Sequence, residues 1–154
     1  MRQRWQPVAL LAGALFVINV VARLIVRFGF DGNADAEGRT SIAMFAVIGL
    51  VLAVIAFVRS QRVPIGSWLP DLVAAAVGGL LLTILVGPFV SGDTPFAGGA
   101  GEFFAQVWLY GGFAIVGGLL GYWIATAMGL DHRSKSLKAF AAAKLTRPRR
   151  VVRR

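Results

Sequence analysis

The fold is decided by one long apolar run at residues 103–130, FFAQVWLYGGFAIVGGLLGYWIATAMGL. It contains no charged side chain, and at a helical rise of about 1.5 Å per residue it extends roughly 42 Å. The hydrocarbon core of a bilayer is about 30 Å thick, so the run is long enough to cross it. We expect a transmembrane helix that tilts, breaks at Gly111-Gly112 or Gly117-Gly118, or emerges from the membrane.

Three further apolar segments precede this run, at residues 7–28, 41–58 and 69–90. Each spans roughly 27–33 Å as a helix, which matches the hydrocarbon core. Composition agrees, because 57% of the 154 residues are hydrophobic and a soluble domain of this size needs more polar surface. The sequence therefore predicts an all-α polytopic membrane protein, with a four-helix transmembrane domain at 1–130 and a basic cytoplasmic tail at 131–154.

Basic residues are distributed unevenly between the two ends of these segments. The N-terminus, the second connection and the tail hold thirteen of the sixteen Lys and Arg residues, whereas the first and third connections hold only Arg39. The positive-inside rule therefore predicts that both termini are cytoplasmic. Interfacial aromatic belts are expected to follow the same division, with an inner and an outer set: Trp5, Trp68 and Trp123, then Trp108 and Tyr110.

A polar stripe occupies the outer half of the first segment. Asn19, Arg23, Arg27 and Asp31 follow one another at four-residue steps, which places them on one face of a helix. A charged side chain at the bilayer centre costs about 2.5–3.5 kcal/mol, so such residues usually face protein or water. Either both arginines extend outward to pair with acidic residues (Asp31, Asp35 or Glu102), or the stripe contacts a partner helix or an anionic lipid.

Small residues recur on one face of the fourth segment. Gly117, Gly121, Ala125 and Gly129 stand four positions apart, and this spacing lets helix backbones approach closely inside a membrane. One interpretation is packing within the chain, against grooves at Ala75-Gly79 or Ala9-Gly13. The other is contact with a second protein, which makes Gly117 and Gly121 candidate partner-contact residues together with Asn19, Arg23 and Arg27.

The tail predicts a short basic amphipathic helix at 133–145, with Leu137, Phe140, Ala141 and Leu145 on one face. Such a helix adsorbs to an anionic leaflet, where each basic residue contributes about 1 kcal/mol. A cytoplasmic protein or RNA is the alternative partner, and nucleic acid is not expected because the membrane already explains the basic charge. The candidate anionic-lipid contacts are Arg133, Lys135, Lys138, Lys144, Arg147, Arg149 and Arg150.

Residues that carry chemistry are scarce. The chain has no cysteine and one histidine, His132, which excludes haem held between two histidines and multi-histidine metal sites. No P-loop is present, and no acidic residue lies deep in an apolar segment, where proton-coupled transporters normally carry one. We therefore expect no catalytic, cofactor or metal site. The sequence favours a non-enzymatic accessory or stabilising subunit of a larger membrane complex, with a small dimeric transporter of an anionic or lipid-like substrate as the alternative.

The residue usage resembles that of proteins from GC-rich actinobacteria, as in DLVAAAVGG at 71–79 and RPRRVVRR at 147–154. Over the whole chain, topology and composition resemble the small LucB-type accessory subunits of mycobacterial Mce lipid-import complexes. The resemblance implies a multi-pass protein of the bacterial inner membrane that docks beside a lipid-transport permease. It assigns a role to no individual residue.

The predicted orientation is testable because the natural chain lacks cysteine. In intact cells, an impermeant thiol reagent is expected to label Asp35→Cys and to leave Ser134→Cys unlabelled until the membrane is opened. Labelling of Ser134→Cys together with protection of Asp35→Cys would reverse the orientation.

Overall fold

The computed structural model describes residues 2–30 and 34–146, with side chains from 5–30 and 38–144. This part of the chain forms helices and no strand: α1 (Arg2–Gly29), α2 (Ala34–Ser60), α3 (Ile65–Leu85), α4 (Gly87–Ser91), α5 (Gly99–Ala127) and α6 (His132–Thr146). Four of them, α1, α2, α3 and α5, are long and apolar enough to cross a membrane. The predicted all-α architecture with four transmembrane helices is confirmed.

The third predicted segment, 69–90, is interrupted in the structure. α3 starts earlier, at Ile65, and ends at Leu85, and the short α4 follows after Val86. Pro88 has no N–H to donate to the preceding turn, so the helical hydrogen-bond ladder stops here. Gly92, with a φ of 87°, then ends α4 in a left-handed conformation that favours glycine. The proline therefore divides the segment into a long helix and one additional turn.

The fourth predicted segment is continuous. α5 runs from Gly99 to Ala127 without a break at either glycine pair. Of the three expected alternatives the break is therefore wrong, and a tilt or an emergence from the membrane stays a prediction. In hydrocarbon no water competes for backbone hydrogen bonds, which keeps a glycine-containing helix intact. Left-handed Gly129 terminates it, and the Leu130 N–H donates to the Ala125 carbonyl at 2.9 Å.

The closest helix packing joins α2 to α5. A Cβ atom placed on Gly117 would fall on the carbonyl of Gly49, and one placed on Gly121 would fall on the carbonyl of Ala53. A Cβ on Gly49 would lie 2.8 Å from the Phe113 carbonyl oxygen. The expected groove for the small residues of α5, at Ala75-Gly79 or Ala9-Gly13, is therefore corrected to the Gly49 and Ala53 face of α2.

The second close pair is α1 and α3, which are packed through other small residues. A Cβ on Gly79 would lie 3.1 Å from the Leu15 Cβ, and one on Gly78 would lie 3.3 Å from the Ala12 Cβ. Leu15 is completely buried and joins Ile48 and Leu52 of α2 in the central core. The bundle thus consists of two close pairs, α1 with α3 and α2 with α5, held together by a shared apolar core.

Two of the five expected belt aromatics lie inside this core. Trp5, Trp108 and Trp123 are exposed on the bundle surface, as belt residues would be, but Trp68 is only 2% exposed and Tyr110 only 1%. Trp68 pairs with the Tyr122 ring at 6.4 Å. These two aromatics fill space between helices, where packing of a large ring outweighs its preference for the membrane interface.

The tail forms helix α6, and its predicted amphipathic character is weak. Asp131 begins the helix by accepting hydrogen bonds from the backbone N–H groups of Arg133 and Ser134, both at 3.2 Å. At about 100° per residue, Arg133 and Lys144 lie on the same side as the exposed Phe140. Basic and apolar side chains therefore share a face. The candidate contacts Arg147, Arg149 and Arg150 lie outside the described residues.

Close contact between α2 and α5 leads to a stability prediction. Gly117→Ala and Gly121→Ala each place a methyl group on a backbone carbonyl of α2, which can move only if the two helices separate. We therefore expect a lower thermal unfolding midpoint in detergent and a free energy of unfolding lower by about 1–3 kcal/mol. Gly112→Ala on the same helix is the control, because nothing lies within 4 Å of its added Cβ. Equal midpoints for all three variants would contradict the packing described here.

Candidate functional site

Asn19 is the central polar residue of the candidate site. It is 1% exposed, and α1 holds it at the level where α2 and α4 approach. Its Nδ2 donates to the Met44 sulfur at 3.1 Å, and its Oδ1 accepts from the Arg23 Nε at 3.2 Å. A buried amide needs such partners in an apolar medium, and Asn19 has both of them within the chain.

The two arginines of the stripe bind α4. The Arg23 Nη1 donates to the Ser91 hydroxyl at 3.1 Å, and the Arg27 Nη1 donates to the Val90 carbonyl at 3.1 Å. Glu102, one of the three expected acidic partners, instead accepts a hydrogen bond from Gln106 at 3.5 Å, and the side chains of the other two, Asp31 and Asp35, lie outside the described residues. The stripe therefore connects α1 to the helix turn that follows the Pro88 break.

Gly87 allows α1 and α4 to come so close together. A Cβ at this position would lie 2.7 Å from the Asn19 Oδ1 and 3.1 Å from the Arg23 Nε. Only a residue without a side chain leaves room for both polar groups. Beyond it, the Ser91 hydroxyl donates to the Pro88 carbonyl at 3.0 Å, which fixes the oxygen that receives Arg23. Gly87, Pro88 and Ser91 thus form a surface that fits closely against the polar groups of Asn19 and Arg23.

A cleft of about 440 Å³ opens beside this network, between the C-terminal half of α1 and the N-terminal half of α2, with α4 behind them. Its lining combines both guanidinium groups with hydroxyls and one carboxylate: Asn19, Arg23, Arg27, Thr40, Ser41, Ser91 and Asp93. Such a wall can donate hydrogen bonds to a polar or anionic group. No set of three His, Cys, Asp or Glu residues able to hold a metal ion occurs in the part of the chain described.

Two buried hydroxyls lie deeper in the bundle. Tyr110 and Thr83 are each 1% exposed, and neither hydroxyl has a hydrogen-bond partner among the described residues. The Tyr110 oxygen faces Gly79, where an added Cβ would lie 2.6 Å away. Thr83 stands one helical turn beyond Gly79 on α3, as Asn19 stands one turn beyond Leu15 on α1. Polar groups thus continue inward from the cleft toward the middle of the bundle.

The other candidate residues do not join this site. Gly117 and Gly121 are buried against α2, so they are not on the chain's surface and the structure offers no partner contact through them. Arg133, Lys135, Lys138 and Lys144 lie on α6, which belongs to the opposite end of the bundle. Two residues of this site, Gly87 and Ser91, are not among those predicted from the sequence. Their signal was the Gly-Pro pair inside an apolar segment, which marks a broken helix with free polar groups.

No family model, curated protein or solved structure matches this chain. The resemblance to Mce accessory subunits therefore stays an expectation based on topology and composition.

The close contact at Gly87 leads to a second stability prediction. The added methyl group of Gly87→Ala should displace the Asn19 amide and break its hydrogen bond from the Arg23 Nε. We therefore expect a lower thermal unfolding midpoint in detergent. Gly13→Ala in α1 is the control, since its added Cβ meets nothing within 4 Å and removal of a helical glycine is neutral or stabilising. An unchanged midpoint for Gly87→Ala would contradict the close contact of Gly87 with Asn19 and Arg23.

Proposed function

We propose that this chain is a non-enzymatic accessory subunit that stabilises a larger complex in a bacterial plasma membrane, with both termini cytoplasmic. One observation carries the proposal: the three polar side chains of the stripe on α1, Asn19, Arg23 and Arg27, are bonded to the chain's own helices. In this arrangement Asn19 bonds α1 to α2, and Arg23 bonds α1 to α4. A fixed frame of this kind suits a supporting subunit better than a carrier whose substrate groups must exchange partners during each cycle.

The outward surface is also consistent with a supporting role. Large apolar side chains cover the exposed faces of all four transmembrane helices, such as Leu10 on α1, Leu50 on α2, Leu81 on α3 and Ile115 on α5. With Gly117 and Gly121 occupied internally, a partner must bind through such faces or through the basic tail. A lipid-import permease is the candidate partner that the sequence resemblance suggests.

A small dimeric transporter is the second candidate, and one specific observation favours it. The cleft of about 440 Å³ has two arginines in its wall and is large enough for a polar headgroup or a small anion. Under this alternative, Arg27, which is exposed and bonded to one backbone carbonyl, would contact the substrate.

Reconstitution separates the two functions. Purified alone and placed in liposomes, the chain is expected to move neither phospholipid nor small anions, whereas mild-detergent purification from native membranes recovers larger membrane proteins with it. Deletion of the chain should then lower the abundance or activity of those partners. The matched pair Arg27→Gln and Gly112→Ala should be recovered with the partner equally well.

Flux through liposomes that disappears in Arg27→Gln and persists in Gly112→Ala would overturn the accessory function and establish the transporter. A chain that purifies alone from native membranes, with no effect of its deletion on any membrane complex, would also contradict the proposal.

A further inference from the structure

A groove of about 400 Å³ runs between α3 and α5, on a different side of the bundle from the polar cleft. These two helices make few contacts with each other, because each packs mainly on another neighbour. The groove walls are aliphatic and aromatic, and small residues on α5 keep it open: Gly111, Ala114 and Gly118. Nothing lies within 4 Å of a Cβ added at Gly111.

The length of the groove corresponds to one leaflet of a bilayer. On α3 its lining extends from Trp68 to Leu80, which is about 18 Å at the helical rise, and Ile65 adds one turn at its mouth. Half of a hydrocarbon core is about 15 Å. At the far end stands Tyr110, whose hydroxyl oxygen faces Gly79. A transmembrane helix of a partner would need a groove through both leaflets, whereas one acyl chain needs only this depth.

The mouth of the groove lies at the basic end of the bundle. The Lys135 Nζ donates to the Gln61 carbonyl at 3.4 Å, which places the start of α6 beside the turn that leads into Ile65. The acidic residues described at this end are engaged: Asp71 is 3.8 Å from Arg59, and Asp131 caps α6. Basic residues outnumber them there, with four more on the turn and on α6: Arg62, Arg133, Lys135 and Lys138.

Trp68 adds a polar group at the same end. Its side chain lines the groove, and its Nε1–H is buried without an acceptor among the described residues. An indole N–H is a donor only, so an unpaired one in an apolar site is costly. An ester oxygen of a phospholipid is an acceptor of the kind that this N–H lacks.

We propose that the groove between α3 and α5 binds one acyl chain of an anionic phospholipid, whose phosphate lies among the basic side chains at the turn between α2 and α3. The depth of the groove suits an acyl chain from a single leaflet, and the basic side chains at its mouth favour an anionic headgroup. The site goes beyond the accessory role and does not depend on it. With both termini cytoplasmic, the lipid would come from the inner leaflet.

Native mass spectrometry of the intact chain, purified in mild detergent with equal amounts of phosphatidylglycerol and phosphatidylcholine, tests the site. We expect the phosphatidylglycerol adduct to dominate, and Gly118→Leu, which fills the groove midway, to reduce it severalfold. Gly118→Leu has room to fold, since its Cβ meets only the Leu72 Cδ2, at 4.0 Å. Gly112→Leu on the same helix should retain the lipid, because its Cβ meets nothing within 4 Å and it does not line the groove.

Two further variants test chain length and headgroup separately. Gly111→Leu shortens the groove at its far end and should shift the preference toward shorter acyl chains. Arg62→Gln should lower the preference for phosphatidylglycerol over phosphatidylcholine about fivefold, the equivalent of ~1 kcal/mol for one basic residue near a headgroup. Arg39→Gln removes the same charge near the start of α2, at the opposite end of the bundle, and should leave the preference unchanged.

Equal retention of both lipids, unaffected by Gly118→Leu, would overturn the proposal and leave only annular lipid. A photo-crosslinker at Val73, which lines the groove and is half exposed, should attach to phospholipid. Attachment to a second polypeptide would overturn the proposal in favour of a partner helix or a second copy. Loss of lipid with full recovery of the partner protein separates this site from the accessory function.

Discussion

The carbonyl groups of Gly49 and Ala53 lie directly against Gly117 and Gly121, so α2 and α5 meet backbone to backbone. Lipid tails are as apolar as leucine, and helices in a membrane are therefore held together by close packing and polar bonds rather than by exclusion of water. The contact requires four small residues at matched spacing on two helices that are distant in sequence. With α5 committed to α2, α3 makes its main contact with α1.

This pairing has two consequences for the rest of the bundle. It leaves the space between α3 and α5 underfilled, and that space is the apolar groove. It also leaves the C-terminal end of α1 and the N-terminal end of α2 apart around the cleft, where Asn19 and Arg23 hold α4 against α1. One side of the bundle is thus fixed by hydrogen bonds, while the other stays open to lipid.

The placement of polar groups links this architecture to the proposed functions. Inside a membrane an unpaired polar group is costly, and Arg23 and Arg27 avoid that cost by binding Ser91 and the Val90 carbonyl. A chain whose polar side chains are used in this way has a rigid frame, as a supporting subunit needs. The basic residues at the other end have few acidic partners and adjoin the groove, which suits an amphiphile with an anionic head.

Sequence alone determined the number of transmembrane helices, the polar stripe on α1 and the small-residue face of α5, because uninterrupted hydrophobicity and four-residue spacing act locally. Only the tertiary structure decided what each face contacts. Gly117 and Gly121 meet Gly49 and Ala53, and Arg23 meets Ser91, although 68 positions separate those two residues. Periodicity identifies the face of a helix but carries no information about its neighbour, since that depends on how all four helices share the same core.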